Sequence, residues 1–192
     1  MLILNDAREF VGKSSVVALG TFDGVHLGHR ALIARAKELA REHHALLVAL
    51  TSDRHPLTLL KPDAAPAPLL SPDEKRACME TLGVEALVEQ PFTADFAALP
   101  PDVFAGFLRD SLRPRAVVVG YNYTFGRGGR GDADALVRFA AQMGFAVEII
   151  PAFCVDGEPV SSSRIRAALE RGDAPGAAQL MGSSSRDSLK FT

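Results

Sequence analysis

GTFDGVHLGH, from Gly20 to His29, follows directly on the aliphatic run Val16-Val17-Ala18-Leu19. It leads into a stretch where Ala31, Leu32, Ala36, Leu39 and Ala40 recur at helical spacing. Arg35, Lys37, Glu38 and Arg41 occupy the other side of that helix, so the segment reads as strand, glycine turn and amphipathic helix, a βα unit. Gly20, Gly24 and Gly28 let the backbone turn sharply and approach a ligand. Open α/β sheets bind ligands beyond the carboxyl ends of their strands, where the next helix aims its free N–H groups and positive dipole end. His26 and His29, three residues apart, share one face of the first helical turn. Two imidazoles there suit an anion: they donate hydrogen bonds to phosphate oxygens, and phosphate charge favours their protonated form. No third ligand lies nearby in sequence, so no metal site is expected at this turn.

Outward from this unit, short apolar runs at 16–20, 45–51, 86–89, 116–120 and 146–150 read as strands buried on both faces. Helical patterns separate them. Ser71-Pro72-Asp73-Glu74 carries a capping box with proline at the first helical position, opening a helix that runs to Gly83. Further helices are expected at 102–112, 133–144 and 162–171, the last ended by Gly172. The expected fold is α/β, a doubly wound parallel sheet of about five strands with helices on both faces. Prolines 56, 62, 66, 68 and 72 interrupt any regular element between residues 53 and 71, predicting a long surface loop. One domain is expected over 1–182, followed by a polar, frayed tail at 183–192.

The chain has 192 residues, 47% of them hydrophobic, and 21 Lys+Arg against 23 Asp+Glu give a net charge of −2. Such a chain builds a real core and fits neither disordered, collagen-like nor coiled-coil classes. Near neutrality argues against binding nucleic acid by bulk electrostatics, which needs a basic face. No apolar run approaches the roughly 20 residues of a bilayer span. Cys78 and Cys154 stand too far apart in sequence for a zinc motif, and Cys78, in a helical pattern, reads as a reduced, buried thiol. A reducing, cytoplasmic setting is expected, with no membrane and no nucleic-acid partner. Oligomeric state is not legible.

A second anion candidate is Val160-Ser161-Ser162-Ser163-Arg164-Ile165-Arg166. One hydroxyl suffices to cap a helix. Three in succession followed by two arginines also suit a polyphosphate, and the two readings stand side by side. Gly126, Gly128 and Gly131 fit dinucleotide-fingerprint spacing but begin about five residues after the preceding strand, so a flexible loop is expected. The single RGG-like copy at Arg127 and Arg130 is weak as an RNA element, and His43-His44 reads as structural at a helix end.

Taken in order, GTFDGVHLGH, VVVGYNYTFGRGGRGD (residues 117–132) and VSSSRIRAALERGD (residues 160–173) resemble the FMN adenylyltransferase module of bacterial FAD synthetases, within the HxGH nucleotidyltransferase superfamily. The likeness runs from about Val16 to Gly182. It implies a Rossmann-like fold and transfer of AMP from ATP to FMN, giving FAD and pyrophosphate with Mg²⁺. The same resemblance puts His26 and His29 on the ATP phosphates, and Ser161, Ser162, Ser163, Arg164 and Arg166 on the second phosphate motif. Gly20, Thr21, Phe22, Asp23 and Gly28 fall on the turn. Asn122 matches a position that helps bind both substrates, with Arg164, His26 and His29 the other implied catalytic residues. Tyr123 and Phe125, with Asp53 and His55, fall at the flavin side.

Where the family reads TFDPHP, this chain has Thr51-Ser52-Asp53-Arg54-His55-Pro56, losing an aromatic ring and a proline at the flavin end. A related transferase using another phosphorylated acceptor is therefore an alternative, as is a non-catalytic nucleotide- or flavin-binding regulator. The resemblance places a riboflavin kinase domain after a segment like Leu180-Met181-Gly182 in bifunctional members, so no kinase activity is expected of this chain.

Overall fold

Val16 to Leu19 alternate between two apolar layers, and that alternation organises the molecule. In the computed structural model, which describes residues 1–182, strand β2 (Ser15–Leu19) buries Val16 and Ala18 on one face and Val17 and Leu19 on the other. The same division holds along β3 (Leu46–Ser52), β4 (Ala86–Gln90) and β5 (Pro114–Gly120). Strands covered on both faces read as continuous aliphatic runs, because neither face meets water.

The helices supply the two covers. Leu32, Ile33, Ala36, Leu39 and Ala40 of α1 (Leu27–Glu42), with Met79 of α3 (Pro72–Leu82), pack on one face. Phe104, Ala105, Leu108 and Leu112 of α5 (Pro101–Leu112), with Leu136 and Ala140 of α6 (Ala133–Met143), pack on the other. The Ser71–Glu74 capping box forms as expected at the start of α3.

The sheet has six strands, all parallel, in the order β1-β4-β3-β2-β5-β8. The strand beyond the expected five is β1 (Leu2–Leu4), at one edge against β4; β8 (Ala146–Ile150) forms the other edge. The chain winds from β2 through β3 to β4 in one direction and through β5 to β8 in the other. Loops leaving β2 and β5 therefore diverge, opening a crevice at their carboxyl ends.

Three expectations are corrected. The proline-rich segment is not devoid of regular structure: α2 (Leu57–Leu60) and a single helical turn at Pro62–Ala64 form within it, because Pro56 and Pro62 sit at helix starts, where a missing N–H costs nothing. The glycine-rich stretch is tied down by a short antiparallel ladder, β6 (Thr124–Phe125) on β7 (Gly131–Asp132). Cys78 is only partly buried. Beyond these, α4 (Ala94–Ala97) follows β4, and a hairpin of β9 (Cys154–Val155) and β10 (Glu158–Pro159) precedes α7 (Ser162–Glu170). The last helix, α8 (Ala174–Met181), packs with α7 around Ile165, Ala177 and Leu180, together with Leu69 of the proline-rich segment. The tail expected at 183–192 lies outside the described residues.

Candidate active site

The turn after β2 is held in an unusual backbone. Phe22 and Val25 adopt positive φ of 49° and 37°, and Gly24 lies at 79° between them. Non-glycine residues in this region are uncommon and gather at functional sites, where the surroundings enforce them. Here the enforcement is burial: Phe22 and Val25 are both fully enclosed. A side chain at Gly24 would press within 2.8 Å of Leu69, so the turn and the proline-rich segment meet at van der Waals distance.

From this turn α1 begins with His26 as its N-cap, the His26 Nδ1 accepting the His29 N–H at 3.3 Å. That bond assigns the proton of a neutral His26 to Nε2. The rings of His26 and His29 stack at 3.6 Å, the shared face that their spacing implied, and Phe22 meets His29 edge-on at 5.3 Å. Gly28 leaves room for this stack, since a Cβ there would come within 3.2 Å of the His26 ring. Burial pulls the His26 imidazole down to about 4, against the pull of nearby Asp23 in the other direction. Burial also drives His29 well below its ordinary value, helped by the charges of His26 and Lys75. Without a ligand, desolvation therefore favours neutral imidazoles, and the protonated form expected beside a phosphate needs the charge that the phosphate brings. His29 Nδ1 is buried with no hydrogen-bond partner among the described residues.

A cavity of about 520 Å³ opens at the carboxyl ends of the strands. Its wall includes Gly20, Thr21, His26, Gly28, His29 and Ser161 to Ser163, together with Ser52, Pro56, Leu60, Phe92, Phe96, Phe104, Tyr123 and Phe125. Asn122 also lines it, on the loop leaving β5. The wall therefore combines hydroxyls, imidazoles and helix N-termini with aromatic rings. Phe96 packs edge-on against Phe104 at 6.0 Å, Phe104 lies 5.2 Å from Phe125, and Tyr123 stacks on Phe125 at 6.0 Å. Burial raises the Tyr123 hydroxyl, which stays neutral.

Of the other expected site residues, the three serines line the cavity, whereas Arg164, Arg166, Phe22, Asp23, Asp53 and His55 do not. Ser161 spends its hydroxyl capping α7 through the Arg164 N–H, and Ser162 Oγ donates to the Asp23 carbonyl at 2.9 Å, binding α7 to the turn. Arg164 does not line the cavity; its guanidinium donates to the carbonyls of Val155 and Glu158 at 3.0 and 2.8 Å, bracing the β9–β10 hairpin. Arg166 does not line it either: it donates to the Asp23 carboxylate and to the Ala67 carbonyl. Spacing puts the serine run at a helix start, which lines the cavity, but cannot tell which way each guanidinium turns. Phe22 and Asp23 shape the turn from behind, and Asp23 also accepts the Leu69 N–H at 2.9 Å. Asp53 accepts the Phe92 N–H at 2.9 Å and pairs with Arg54; burial works against its charge, but these partners hold its carboxyl below the ordinary range. His55 accepts the Leu57 N–H at 3.2 Å, and burial lowers its imidazole. Both stabilise the rim and do not line the cavity.

Phe92, Phe96, Phe104, Pro56 and Leu60 were absent from the sequence reading of the site. Phe92 and Phe96 at i and i+4 carried the available signal, a small aromatic cluster just past a strand end.

A family profile described as FAD synthetase matches residues 10–164. A protein of Listeria monocytogenes named bifunctional riboflavin kinase/FMN adenylyltransferase is 34% identical over 175 residues, covering 91% of this chain and 55% of its own length. This chain thus spans about half the length of that relative. A second L. monocytogenes protein, named FAD synthetase, is 31% identical over 171 residues, covering 88% of this chain and 69% of the relative. The crystal structure of a macrolide-efflux protein from Streptococcus pneumoniae superposes with a TM-score of 0.84 at 28% identity, over 95% of this chain and 60% of the other. Among the described residues of this chain, no helix is long and apolar enough to cross a membrane.

Proposed function

The chain belongs to the FAD synthetase family, and from that premise we propose that it transfers the AMP moiety of ATP to FMN, releasing pyrophosphate and forming FAD. An oxygen of the FMN phosphate attacks the α-phosphorus of ATP, a new P–O bond forms, and the bond to the β-phosphate breaks, its electron pair leaving with pyrophosphate. A phosphate is already ionised near neutral pH, so the attack needs no protein base. What the reaction demands is alignment and hydrogen-bond donors where negative charge develops. His26 Nε2–H, His29 and the free N–H groups at the starts of α1 and α7 meet that demand on the cavity wall, which Ser163 also lines. The buried, neutral imidazoles take up protons more readily once phosphate charge stands beside them. Asn122 lines the same cavity, and Tyr123, Phe125 and the phenylalanine cluster give the isoalloxazine ring a flat apolar surface.

Magnesium enters with the nucleotide. The cavity wall carries no carboxylate, and no group of three or more His, Cys, Asp or Glu side chains stands together among the described residues. Among the described residues, the side chains form no resident metal cage. Mg²⁺ is commonly held by substrate phosphates and water, and there it neutralises phosphate charge.

The observation that carries this reading is one cavity whose wall holds both the stacked histidines and the aromatic cluster. Its test is incubation of the protein with ATP, Mg²⁺ and FMN, followed by chromatography for FAD and an assay for pyrophosphate. Formation of both supports the transfer. Tight ATP binding without FAD overturns it and favours another acceptor, for which Ser52 on the cavity wall, in place of an aromatic ring, is the structural motive. Arg54 is not that acceptor's partner in this structure, being paired with Asp53.

A further inference from the structure

The two arginines that follow the serine run are already engaged, and the imidazoles beside them are neutral. A positive charge already present before a phosphate binds has then to come from elsewhere. On α3, Lys75 reaches across to the turn after β2, its Nζ donating to the Thr21 carbonyl at 3.4 Å. Thr21 is part of the cavity wall. The ammonium is also close enough to His29 and His55 for its charge to act on both imidazoles.

Three features make Lys75 a spare cation instead of a structural one. No carboxylate lies within ion-pairing distance of it among the described residues, whereas its neighbour Arg76 is paired with Glu89 and Asp73. Its hydrogen bond is long, and the Thr21 carbonyl has a better donor in the Thr51 hydroxyl at 2.9 Å. Lys75 can therefore leave that carbonyl without orphaning a buried acceptor. Finally, burial makes its charge costly, and although the charges of Asp23 and Glu89 act the other way, neither lies within pairing distance, so the ammonium gains from a direct anionic partner. A lysine on a flexible four-carbon stem is suited to swing toward such a partner.

We propose that Lys75 is a phosphate-binding residue of this site, moving from the Thr21 carbonyl to a phosphate group of a bound substrate. The inference rests on the transfer reading for the identity of its ligands, ATP and FMN, each of which carries phosphate. Calorimetric titration of the wild type and Lys75→Met with ATP, FMN and riboflavin separately, in Mg²⁺, tells the sources apart. Thermal melts report folding, and Lys75→Gln replaces the methionine variant if that one fails to fold. The expected result is a folded variant with affinity for ATP, FMN or both reduced at least about tenfold, the scale of one lost charge-assisted hydrogen bond. Riboflavin, which has the ring without the phosphate, should bind both proteins alike. A loss confined to ATP assigns the lysine to the polyphosphate, and a loss confined to FMN assigns it to the acceptor phosphate. Unchanged affinity for both, an equal loss for riboflavin, or a wild type that binds neither phosphate ligand overturns the proposal. A wild type that binds both ligands yet forms no FAD removes the transfer reading and leaves the lysine result standing.

Discussion

Arg166 donates to the carboxylate of Asp23 across 143 positions of sequence, and both side chains are largely withdrawn from water. The pair joins three segments, because Asp23 also holds the Leu69 N–H and Arg166 the Ala67 carbonyl. Removing one partner of a buried pair leaves an uncompensated charge, at a cost of about 3 kcal/mol. Arg166→Met and Asp23→Asn should each lower Tm by roughly 6–12 °C for a domain of this size. The double variant should recover much of that loss, since no charge is then stranded. Melts of the three variants check this; single variants within about 1 °C of wild type would rule out a latch.

His26 gives the site a pH dependence. Its imidazole titrates at about 4 in the folded protein against 6.5 ordinarily, so the unfolded chain takes up a proton first as pH falls. The stability it contributes is complete above the ordinary value and drains away between 6.5 and about 4, by up to ~3 kcal/mol. His29, shifted the same way, adds to the slope. Protonation at His26 Nδ1 also removes the acceptor that caps α1. Denaturant titrations at a series of pH values should show this loss. His26→Asn, which keeps a side-chain acceptor without the titration, should flatten it; an equally steep profile in that variant would assign the dependence elsewhere.

Leu60 separates binding from folding. It lines the cavity yet is 56% exposed, so Leu60→Ser should raise KM for FMN several-fold while Tm moves by less than about 2 °C. An unchanged KM would mean that α2 does not touch the acceptor.

Gly24 is the strictest position of the turn. At φ 79° with Leu69 2.8 Å from a built Cβ, Gly24→Ala should cost at least about 1 kcal/mol and weaken ATP binding by displacing the His26 cap. Leu69→Ala, added to it, should relieve the steric part; calorimetry and melts on both variants measure the two effects.

These residues also show what sequence discloses. The central strands were legible because both of their faces are dry, and His26 and His29 because three residues of helix bring side chains together whatever the fold. Strand β1 was not: Leu2 and Ile3 are substantially exposed, so three residues ending at Asn5-Asp6 carry neither alternation nor length. The destinations of Arg164 and Arg166 depend on carbonyls and a carboxylate supplied by other segments. Lys75 gave no local signal at all. Its proximity to Thr21 arises from the packing of α3 against the β2 turn, which only the folded topology creates.

The wholly parallel sheet has a consequence for how the protein comes into being. Parallel neighbours require long crossovers, so almost every strand pairing closes a large loop, and such topologies assemble slowly. The histidine turn and the serine run that faces it lie more than 130 residues apart in the sequence. The two segments of the cavity wall therefore meet only once the intervening strands have paired, and a ligand that bridges them should stabilise the assembled domain while leaving the unfolded chain untouched.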